Sequence, residues 1–262
     1  GSEHGSMGFG AYARSAGVER LVSREDYEQK HGKGDFDGYW GIWDEPFLQF
    51  MGEELSATAE PFFATLFTLS SHHPFVVPEQ YAATLPAGYT KIHKGVAYDD
   101  MAFRRFFERF GSEEWFRRTI FVFVADHVSS EKFDPATREY PGNMHIIGFL
   151  YTPDGALHGR IGEVSQQLDI MPTLLGLTGN REPYFAFGRD VLNEPERPHW
   201  SVSYDGMFRA VTDGGVIAFD EERDAASTEP AGSQADSLLS QFRALVQQYY
   251  TRIERKNYTA HD

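Results

Sequence analysis

The chain has 262 residues, 41% hydrophobic and 15% aromatic, which is enough to bury a substantial core and argues against extensive disorder. Its formal net charge of −15 disfavours a general binder of nucleic acid or of anionic membranes, because both need a positive surface. An anionic substrate would need local positive charge, which a bound metal can supply. The sequence contains no Cys, so disulfides and thiolate chemistry are excluded.

The chain begins with a polar stretch and few strong signals. Residues 1–6 do not resemble a signal peptide and lack an initiator Met, which indicates a fragment of a longer protein. Ser23 is placed to cap a helix with an acidic first turn. Residues 31–41 contain four glycines and predict a long loop. Asp44 then opens a helix with one apolar face.

Two apolar segments, 61–70 and 120–125, have the composition of strands buried on both faces of a parallel sheet. The helix predicted over 94–110 connects them as a crossover. Its buried side is expected to carry Val96, Phe103, Phe106, Phe107 and Phe110. Asp99 and Asp100 are predicted to begin this helix, where its dipole would favour them.

Each of these apolar segments is followed by a loop that bears histidine. In open α/β sheets, ligands bind beyond the carboxyl ends of the strands. His72 or His73 would then lie at the same edge as Asp126 and His127. A carboxylate oxygen and an imidazole nitrogen suit Zn, Mn or Mg when further ligands assist. Each assignment has an alternative. Asp126 could cap a turn beside an ordinary surface histidine, His127, and His72 could be a loop histidine that hydrogen-bonds to the backbone.

The middle of the chain continues the α/β pattern. A polar loop after His127 is long enough to be a functional flap. His145 begins a third predicted strand, 145–151, and could face the same site or be a structural histidine. Asp169 is predicted to cap a helix that ends at Gly179. Strands with helices between and after them favour the α/β class.

The last third of the chain has a different pattern of apolar residues. Short apolar runs separated by Asp205-Gly206 and Asp213-Gly214-Gly215 predict a small antiparallel meander. Residues 224–234 are expected to form a polar loop. A terminal helix is predicted over 236–256 from its apolar face.

Taken in order, five motifs resemble one family. They are Phe67-Thr-Leu-Ser-Ser-His-His-Pro-Phe75, Tyr98-Asp-Asp100, Val124-Ala-Asp-His127, Gln167-Leu-Asp-Ile-Met-Pro-Thr-Leu-Leu-Gly-Leu-Thr-Gly179 and Phe187-Gly-Arg-Asp-Val-Leu192. This order is similar to the C-terminal part of the catalytic ectodomain in the sulfatase-like lipoteichoic acid synthase and phosphoglycerol transferase family, within the alkaline phosphatase superfamily. The likeness extends from about residue 20 through the terminal helix.

The resemblance implies a fold and a domain arrangement. The expected fold is α/β, with a mostly parallel sheet flanked by helices, a small C-terminal antiparallel meander and a terminal helix. Residues 1–195 would form the C-terminal part of the catalytic domain. Residues 196–262 would form the antiparallel subdomain with the helix packed on it.

The resemblance also implies roles for individual residues. Asp126 and His127 match the family's metal-binding Asp-His pair. His72 matches a histidine that contacts the substrate phosphoglycerol, whereas His73 occupies a position that is not a ligand in the family. His4, followed by Gly, corresponds to a His-Gly of the substrate site, although the flanking sequence departs from the pattern.

The implied activity is transfer of glycerol phosphate, or of a similar phospholipid head group, to a glycan or polymer acceptor. One divalent metal is expected, Mn first, with Mg or Zn as alternatives. Upstream transmembrane helices would hold the domain on the extracytoplasmic face of a bacterial membrane.

No stretch resembles the N-terminal half of the ectodomain, which in the family carries the Thr or Ser nucleophile and a metal-binding Glu. The chain alone is therefore expected to be inactive. Two alternatives remain open: a sulfatase, phosphatase or phosphodiesterase on the same scaffold, and a catalytically incomplete or non-catalytic fragment.

Overall fold

The structure is a computed structural model that describes residues 1–194, 196–197, 199–220, 222–223, 225–229 and 235–257. The chain divides into two compact units, Gly1–Leu157 and His158–Asp262. The predicted domain boundary after residue 195 stays a prediction. No helix in the described ranges is long and apolar enough to cross a membrane.

The first unit is mainly helical. Its elements are α1 (Phe9–Ser15), α2 (Arg24–His31), α3 (Asp44–Ser56), α4 (Glu79–Ala82), α5 (Lys91–Phe110), α6 (Glu114–Arg117), β1 (Phe121–Val124) and β2 (Gly148–Tyr151), with short 3-10 turns at Ser6–Gly8, Pro135–Thr137 and Gly142–Met144. The predicted capping of α2 is confirmed. Ser23 and Asp26 form a capping box, in which the Asp26 carboxylate accepts the Ser23 backbone N–H at 2.8 Å.

Helices α3 and α5 pack together and form most of the core of this unit. Phe106 and Phe110 of α5 are buried with Leu48 of α3 and Trp115 of α6. The two helices approach closely at Gly52, where an added Cβ would lie 2.1 Å from the Phe110 ring. Only glycine leaves room for that ring without displacing it.

The buried face of α5 differs from the predicted one. It carries Gly95, Tyr98, Ala102, Phe106 and Phe110. Val96 is 53% exposed, so its predicted burial is wrong. The helix begins at Lys91, about one turn before the predicted start at residue 94 and more than two turns before Asp99, and the Thr90 side chain and His93 form a capping box there.

The α/β class is confirmed, but the predicted pairing of parallel strands is not what the described residues show. β1 pairs with β2 in antiparallel register, with Phe121 opposite Tyr151 and Val124 opposite Gly148. Residues 61–70 form no regular strand, and Phe63 is 85% exposed. An apolar run becomes a strand only where a partner supplies the ladder hydrogen bonds, and the composition of the run cannot show that partner.

The second unit combines an antiparallel sheet with a long helix. Its elements are α7 (Ile170–Leu177), β3 (Trp200–Tyr204), β4 (Phe208–Thr212), β5 (Gly215–Asp220), β6 (Ala225–Glu229) and α8 (Ala235–Arg255), with a 3-10 turn at Gln167–Asp169. The strands follow the order β3-β4-β5-β6. Phe242 and Val246 of α8 are buried against Phe208, Ala210 and Ile217 of the sheet.

The predicted meander and terminal helix are confirmed. The strand β6 lies within the segment expected to be a polar loop, so that prediction is wrong for 225–229. The segment Ala-Ala-Ser-Thr-Glu lacks an apolar alternation, and its pairing with β5 is a backbone effect. Residues 224 and 230–234 of the predicted loop lie outside the described residues.

Candidate functional site

The structure brings His72 and His127 together. Their imidazole rings lie 6.2 Å apart between centroids and nearly perpendicular, at 87°. His72 follows the apolar segment 61–70, and His127 follows β1 and Asp126. The predicted convergence of these two loops is therefore present, although it does not arise from parallel strand pairing.

His127 is held in a defined orientation. Its Nδ1 lies 2.7 Å from the Val128 carbonyl oxygen, and because a carbonyl can only accept, Nδ1 carries the proton. The lone pair of a neutral His127 is then on Nε2, which is the nitrogen available to a ligand. The Asp126 Oδ1 accepts the His127 backbone N–H at 2.9 Å.

The two side chains have the geometry of a shared ligand pair. His127 Nε2 and Asp126 Oδ2 lie 3.6 Å apart, and both side chains are more than half exposed. Two ligands about 2.1 Å from one tetrahedral metal would be separated by roughly 3.4 Å. These donors therefore fit one divalent cation, provided that other residues complete its coordination.

The described part of the chain contains no group of three or more His, Cys, Asp or Glu that could hold a metal. Asp126 and His127 thus supply two donors, and this is fewer than the coordination number of Zn, Mn or Mg in protein sites.

His72 is exposed and oriented through its neighbour. The His73 carbonyl oxygen accepts a hydrogen bond from His72 Nδ1 at 3.0 Å and from Trp40 Nε1 at 2.6 Å. The Trp40 ring also meets the His72 ring edge-on, with centroids 4.5 Å apart. Trp40 therefore fixes both the backbone and the ring of the histidine loop. This role is not predictable from the sequence, because Trp40 lies in a glycine-rich segment without periodicity.

A buried carboxylate holds the beginning of the same loop. Asp44, at the start of α3, is 1% exposed and accepts the backbone N–H groups of Leu69 at 2.9 Å and Ser70 at 2.7 Å. The Ser70 hydroxyl accepts the Asp44 backbone N–H at 3.0 Å. This reciprocal pairing anchors the chain two residues before His72.

Helix α5 closes on this anchor from the other side. A Cβ on Gly95 would lie 3.2 Å from the Ser71 Cα, so the helix backbone runs close to the loop. One turn along the helix, Asp99 is half-buried and faces Asp44 and Ser71. Removal of its carboxylate from water and the negative charge of Asp44 together raise the pKa of Asp99 to about 8.

The role predicted for Asp99 at a helix start is therefore wrong. The helical period does predict the observed position of Asp99. This residue lies four positions after Gly95, three before Ala102 and seven before Phe106, and therefore on the same helix face as these buried residues.

The other two predicted substrate residues, His4 and His145, make different contacts from those of His72 and His127. His4 is exposed, and its backbone N–H donates to the Glu25 carboxylate at 3.0 Å. His145 is also exposed, and its backbone N–H donates to the Gly142 carbonyl at the end of a 3-10 turn. Within the described ranges, no ring contact joins either histidine to His72 or His127. Their assignment to the substrate site stays a prediction.

The predicted flap after His127 is tied to the start of α5. The Glu131 carboxylate accepts the Ile92 backbone N–H at 2.8 Å, and the Phe133 ring stacks on Tyr89 with centroids 4.7 Å apart. Backbone hydrogen bonding lowers the pKa of Glu131. This charge at a helix N-terminus is favourable.

The fold defines the class of protein. A crystal structure of a protein in the alkaline phosphatase superfamily from Vibrio parahaemolyticus superposes with a TM-score of 0.68 and 22% identity, over 93% of this chain and 61% of that one. The crystal structure of Ps i-CgsB in complex with k-i-k-neocarrahexaose superposes with a TM-score of 0.60 and 12% identity, over 96% of this chain and 63% of that one. The chain has the alkaline phosphatase superfamily fold.

The family follows from the sequence. The family model described as Sulfatase matches residues 2–180, and the chain belongs to this family. It is 25% identical over 212 residues to the lipoteichoic acid synthase-like YvgJ of Bacillus subtilis, over 73% of this chain and 34% of that protein. It is also 27% identical to lipoteichoic acid synthase 1 of Bacillus subtilis, over 59% of this chain and 27% of that protein, and 24% identical to the lipoteichoic acid synthase of Staphylococcus aureus, over 59% and 26%. The chain spans about a quarter to a third of the length of these relatives.

Proposed function

We propose that this chain forms part of a metal-dependent transferase that moves glycerol phosphate, or a similar phospholipid head group, to a glycan or polymer acceptor. The observation that carries the proposal is the proximity of His72 to His127 and Asp126, which supports a phosphate contact beside two candidate metal ligands. The likeness to lipoteichoic acid synthases supports this choice of reaction.

The roles of the residues follow from their geometry. Asp126 Oδ2 and His127 Nε2 would hold one divalent metal, with Mn favoured and Mg or Zn as alternatives. Such a metal supplies Lewis-acid stabilisation of charge on phosphate oxygens and lowers the pKa of a bound nucleophile. His72 Nδ1 donates to the His73 carbonyl, so His72 would act as an imidazolium, whose Nε2–H would bind a phosphoglycerol oxygen or give its proton to the leaving oxygen.

The transfer would require residues outside this chain. A hydroxyl nucleophile would attack phosphorus, the bond from phosphorus to the lipid oxygen would break, and that oxygen would take a proton. An acceptor hydroxyl would then displace the nucleophile in a second in-line step. We expect the nucleophile and the remaining metal ligands to come from an N-terminal half of the domain, anchored to the extracytoplasmic face of a bacterial membrane.

Exposed apolar side chains support the expectation of further chain around this site. Phe149 of β2 is 52% exposed, and Ile147, whose carbonyl accepts the Ala125 backbone N–H just before Asp126, is 69% exposed. Clusters of exposed apolar residues commonly mark surfaces that other protein covers.

The test is an assay of the longer protein with labelled phosphatidylglycerol. Diacylglycerol release should require a divalent metal, stop with a chelator and restart on addition of Mn²⁺. Label that appears on a glycan or polymer identifies a transferase, whereas free glycerol phosphate identifies a hydrolase on the same scaffold. Absence of turnover with every divalent metal would instead establish a non-catalytic domain and overturn the proposal.

A further inference from the structure

The second unit contains a cavity that the proposed chemistry does not use. It has a volume of about 370 Å³ and lies beside helix α8. Its walls include Arg189, Arg252, Gln248, Phe185 and Trp200. All of these residues belong to the unit His158–Asp262.

Arg189 is the most deeply placed cation of this cavity. Arg189 is only 4% exposed. Its Nη2 donates a long hydrogen bond of 3.5 Å to the Val164 carbonyl. Among the residues that the structure describes, no carboxylate lies within 4.0 Å of its guanidinium. Asp169 also lines the cavity, but its Oδ1 accepts the Arg189 backbone N–H rather than the side chain. A buried guanidinium without a counter-charge is costly unless an anion offsets it.

Arg252 adds a second guanidinium on the same wall. It stacks 3.5 Å above the Phe185 ring, and its Nη1 donates to the Asn257 carbonyl at 3.0 Å. The described residues offer it no carboxylate within 4.0 Å either. Stacking on Phe185 holds the planar guanidinium in one orientation, which reduces the entropy lost when an oxyanion binds.

The remaining charge of the cavity is also positive on balance. Arg197 lines it as well, but this arginine forms an ion pair with Glu194 at 3.2 Å. Asp169 is the acidic member of the described lining. A local excess of cations is notable in a chain with a net charge of −15, because it is opposite in sign to the average surface.

We infer that this cavity binds a tetrahedral oxyanion ester, a phosphate or sulfate group carried by a polyol or sugar. Arginine forks match the oxygen atoms of such a group. Trp200 and Phe187 supply apolar faces for the carbon skeleton, and the exposed Gln241 and Gln248 supply amide donors. The described lining of the cavity contains none of the residues proposed to bind metal.

The experiment is calorimetric titration of the 262-residue chain with sn-glycerol 3-phosphate, inorganic phosphate and inorganic sulfate, in the presence of a chelator. We expect saturable binding that weakens as ionic strength rises. Tighter binding of glycerol phosphate than of inorganic phosphate would identify a carried ester, and equal binding would identify a free anion as the source. Absence of saturable binding by all three probes would overturn the inference.

Helix α8 offers a matched pair of variants. Arg252→Gln should weaken glycerol phosphate binding about tenfold, which corresponds to about 1.4 kcal/mol. Arg243→Gln makes the same change of charge on the same helix, but Arg243 lies over the Phe219 ring, 5.0 Å from its centroid, and does not line the cavity. Its affinity should change less than twofold. Equal loss in both variants would mean a non-specific charge effect and contradict a built site.

A second variant keeps the test decisive if Arg252→Gln unfolds. Gln248→Glu changes an exposed residue one turn before Arg252 and introduces a carboxylate that would compete for its guanidinium. It should weaken phosphate binding without loss of folding, as checked by circular dichroism. Asp126→Ala should leave binding unchanged. Loss of binding in Asp126→Ala would show that the anion binds at Asp126 and His127. That result would overturn this inference but leave the proposed function intact.

Discussion

His72 and His127 meet edge to face with their ring centroids 6.2 Å apart, and each ring is oriented by a hydrogen bond from Nδ1 to a main-chain carbonyl. This arrangement leaves Nε2 of both rings as the functional nitrogen. One ring would serve a metal and the other a phosphate oxygen, so the two atoms can act on one substrate.

Loss of the Asp126 carboxylate should abolish metal binding and activity together. In the longer protein, Asp126→Ala removes one of two neighbouring donors, and the remaining His127 cannot hold a divalent cation alone. Elemental analysis of the purified variant should show metal content reduced at least tenfold. Asp134→Ala is the control, because Asp134 lies in the same loop and caps a local turn by accepting the Ala136 N–H. Normal metal content in Asp126→Ala would refute the ligand assignment.

Removal of the Trp40 indole donor should disturb His72 without unfolding the protein. Trp40→Phe keeps an aromatic ring but loses the hydrogen bond to the His73 carbonyl, which is worth about 1 kcal/mol. We expect KM for the lipid donor to rise about fivefold, with a Tm change of a few degrees at most. An unchanged KM in Trp40→Phe would refute a positioning role for the indole N–H.

Trp43→Phe is the matched control for this measurement. Trp43 packs against Tyr98, with ring centroids 6.0 Å apart, rather than against His72. Its substitution should leave KM unchanged. If both variants raised KM equally, the effect would come from general loosening of the loop and not from the contact with His73.

The elements predicted best from sequence are those with strong periodicity. Helix α8 was predicted over 236–256 and occupies Ala235–Arg255, because its apolar face repeats through the whole length. The hairpins at Asp205-Gly206 and at Asp213 to Gly215 also lie where their turn residues predicted. Local chemistry alone determines such elements, so no tertiary information was needed.

The segments predicted poorly are those whose state depends on distant partners. Residues 61–70 are rich in apolar side chains, yet they form no ladder, whereas the polar strand β6 does. The role of Trp40 likewise depends on a carbonyl more than thirty residues away. The sequence placed His72 or His73 beside Asp126 and His127 through a parallel pairing of strands that the described residues do not show. It contained no signal for the residues that orient these side chains.

The acidic pair of Asp44 and Asp99 should make stability depend on pH. Burial, with the charge of Asp44, raises the pKa of Asp99 from 3.8 to about 8, so the folded protein retains a proton that the unfolded chain releases. Between about pH 4 and pH 8 Asp99 therefore binds fewer protons in the unfolded state, and its contribution to stability falls as pH rises. The expected slope of this contribution is about 1 kcal/mol per pH unit within this window. Burial lowers the pKa of the Gly1 amino group to about 5, so this group contributes with the opposite sign between about pH 5 and pH 8.

Asp99→Asn tests this origin, because Asn resembles the protonated acid and releases no proton. In urea unfolding, the free energy of unfolding of the variant relative to the unchanged protein should rise by about 1 kcal/mol per pH unit between pH 4 and pH 8, with the variant more stable at pH 8. Asp100→Asn on the same helix is the control, since Asp100 is exposed and pairs with Arg104 at 3.0 Å. A slope unaffected by Asp99→Asn would show that another group titrates.

Close packing at Gly52 should make the first unit sensitive to a single methyl group. An added Cβ would lie 2.1 Å from Cε2 of Phe110, far inside van der Waals contact, so α3 and α5 must separate or the ring must move. Overpacking of this kind costs roughly 1–3 kcal/mol, more than the gain in helix propensity from Gly to Ala. Gly52→Ala should therefore lower the free energy of unfolding in urea. The double variant Gly52→Ala with Phe110→Leu should lose less than the sum of the two single changes, because the smaller side chain leaves room for the methyl group. Additive losses would indicate that the helices accommodate the methyl group elsewhere, and a more stable Gly52→Ala would contradict the close approach itself.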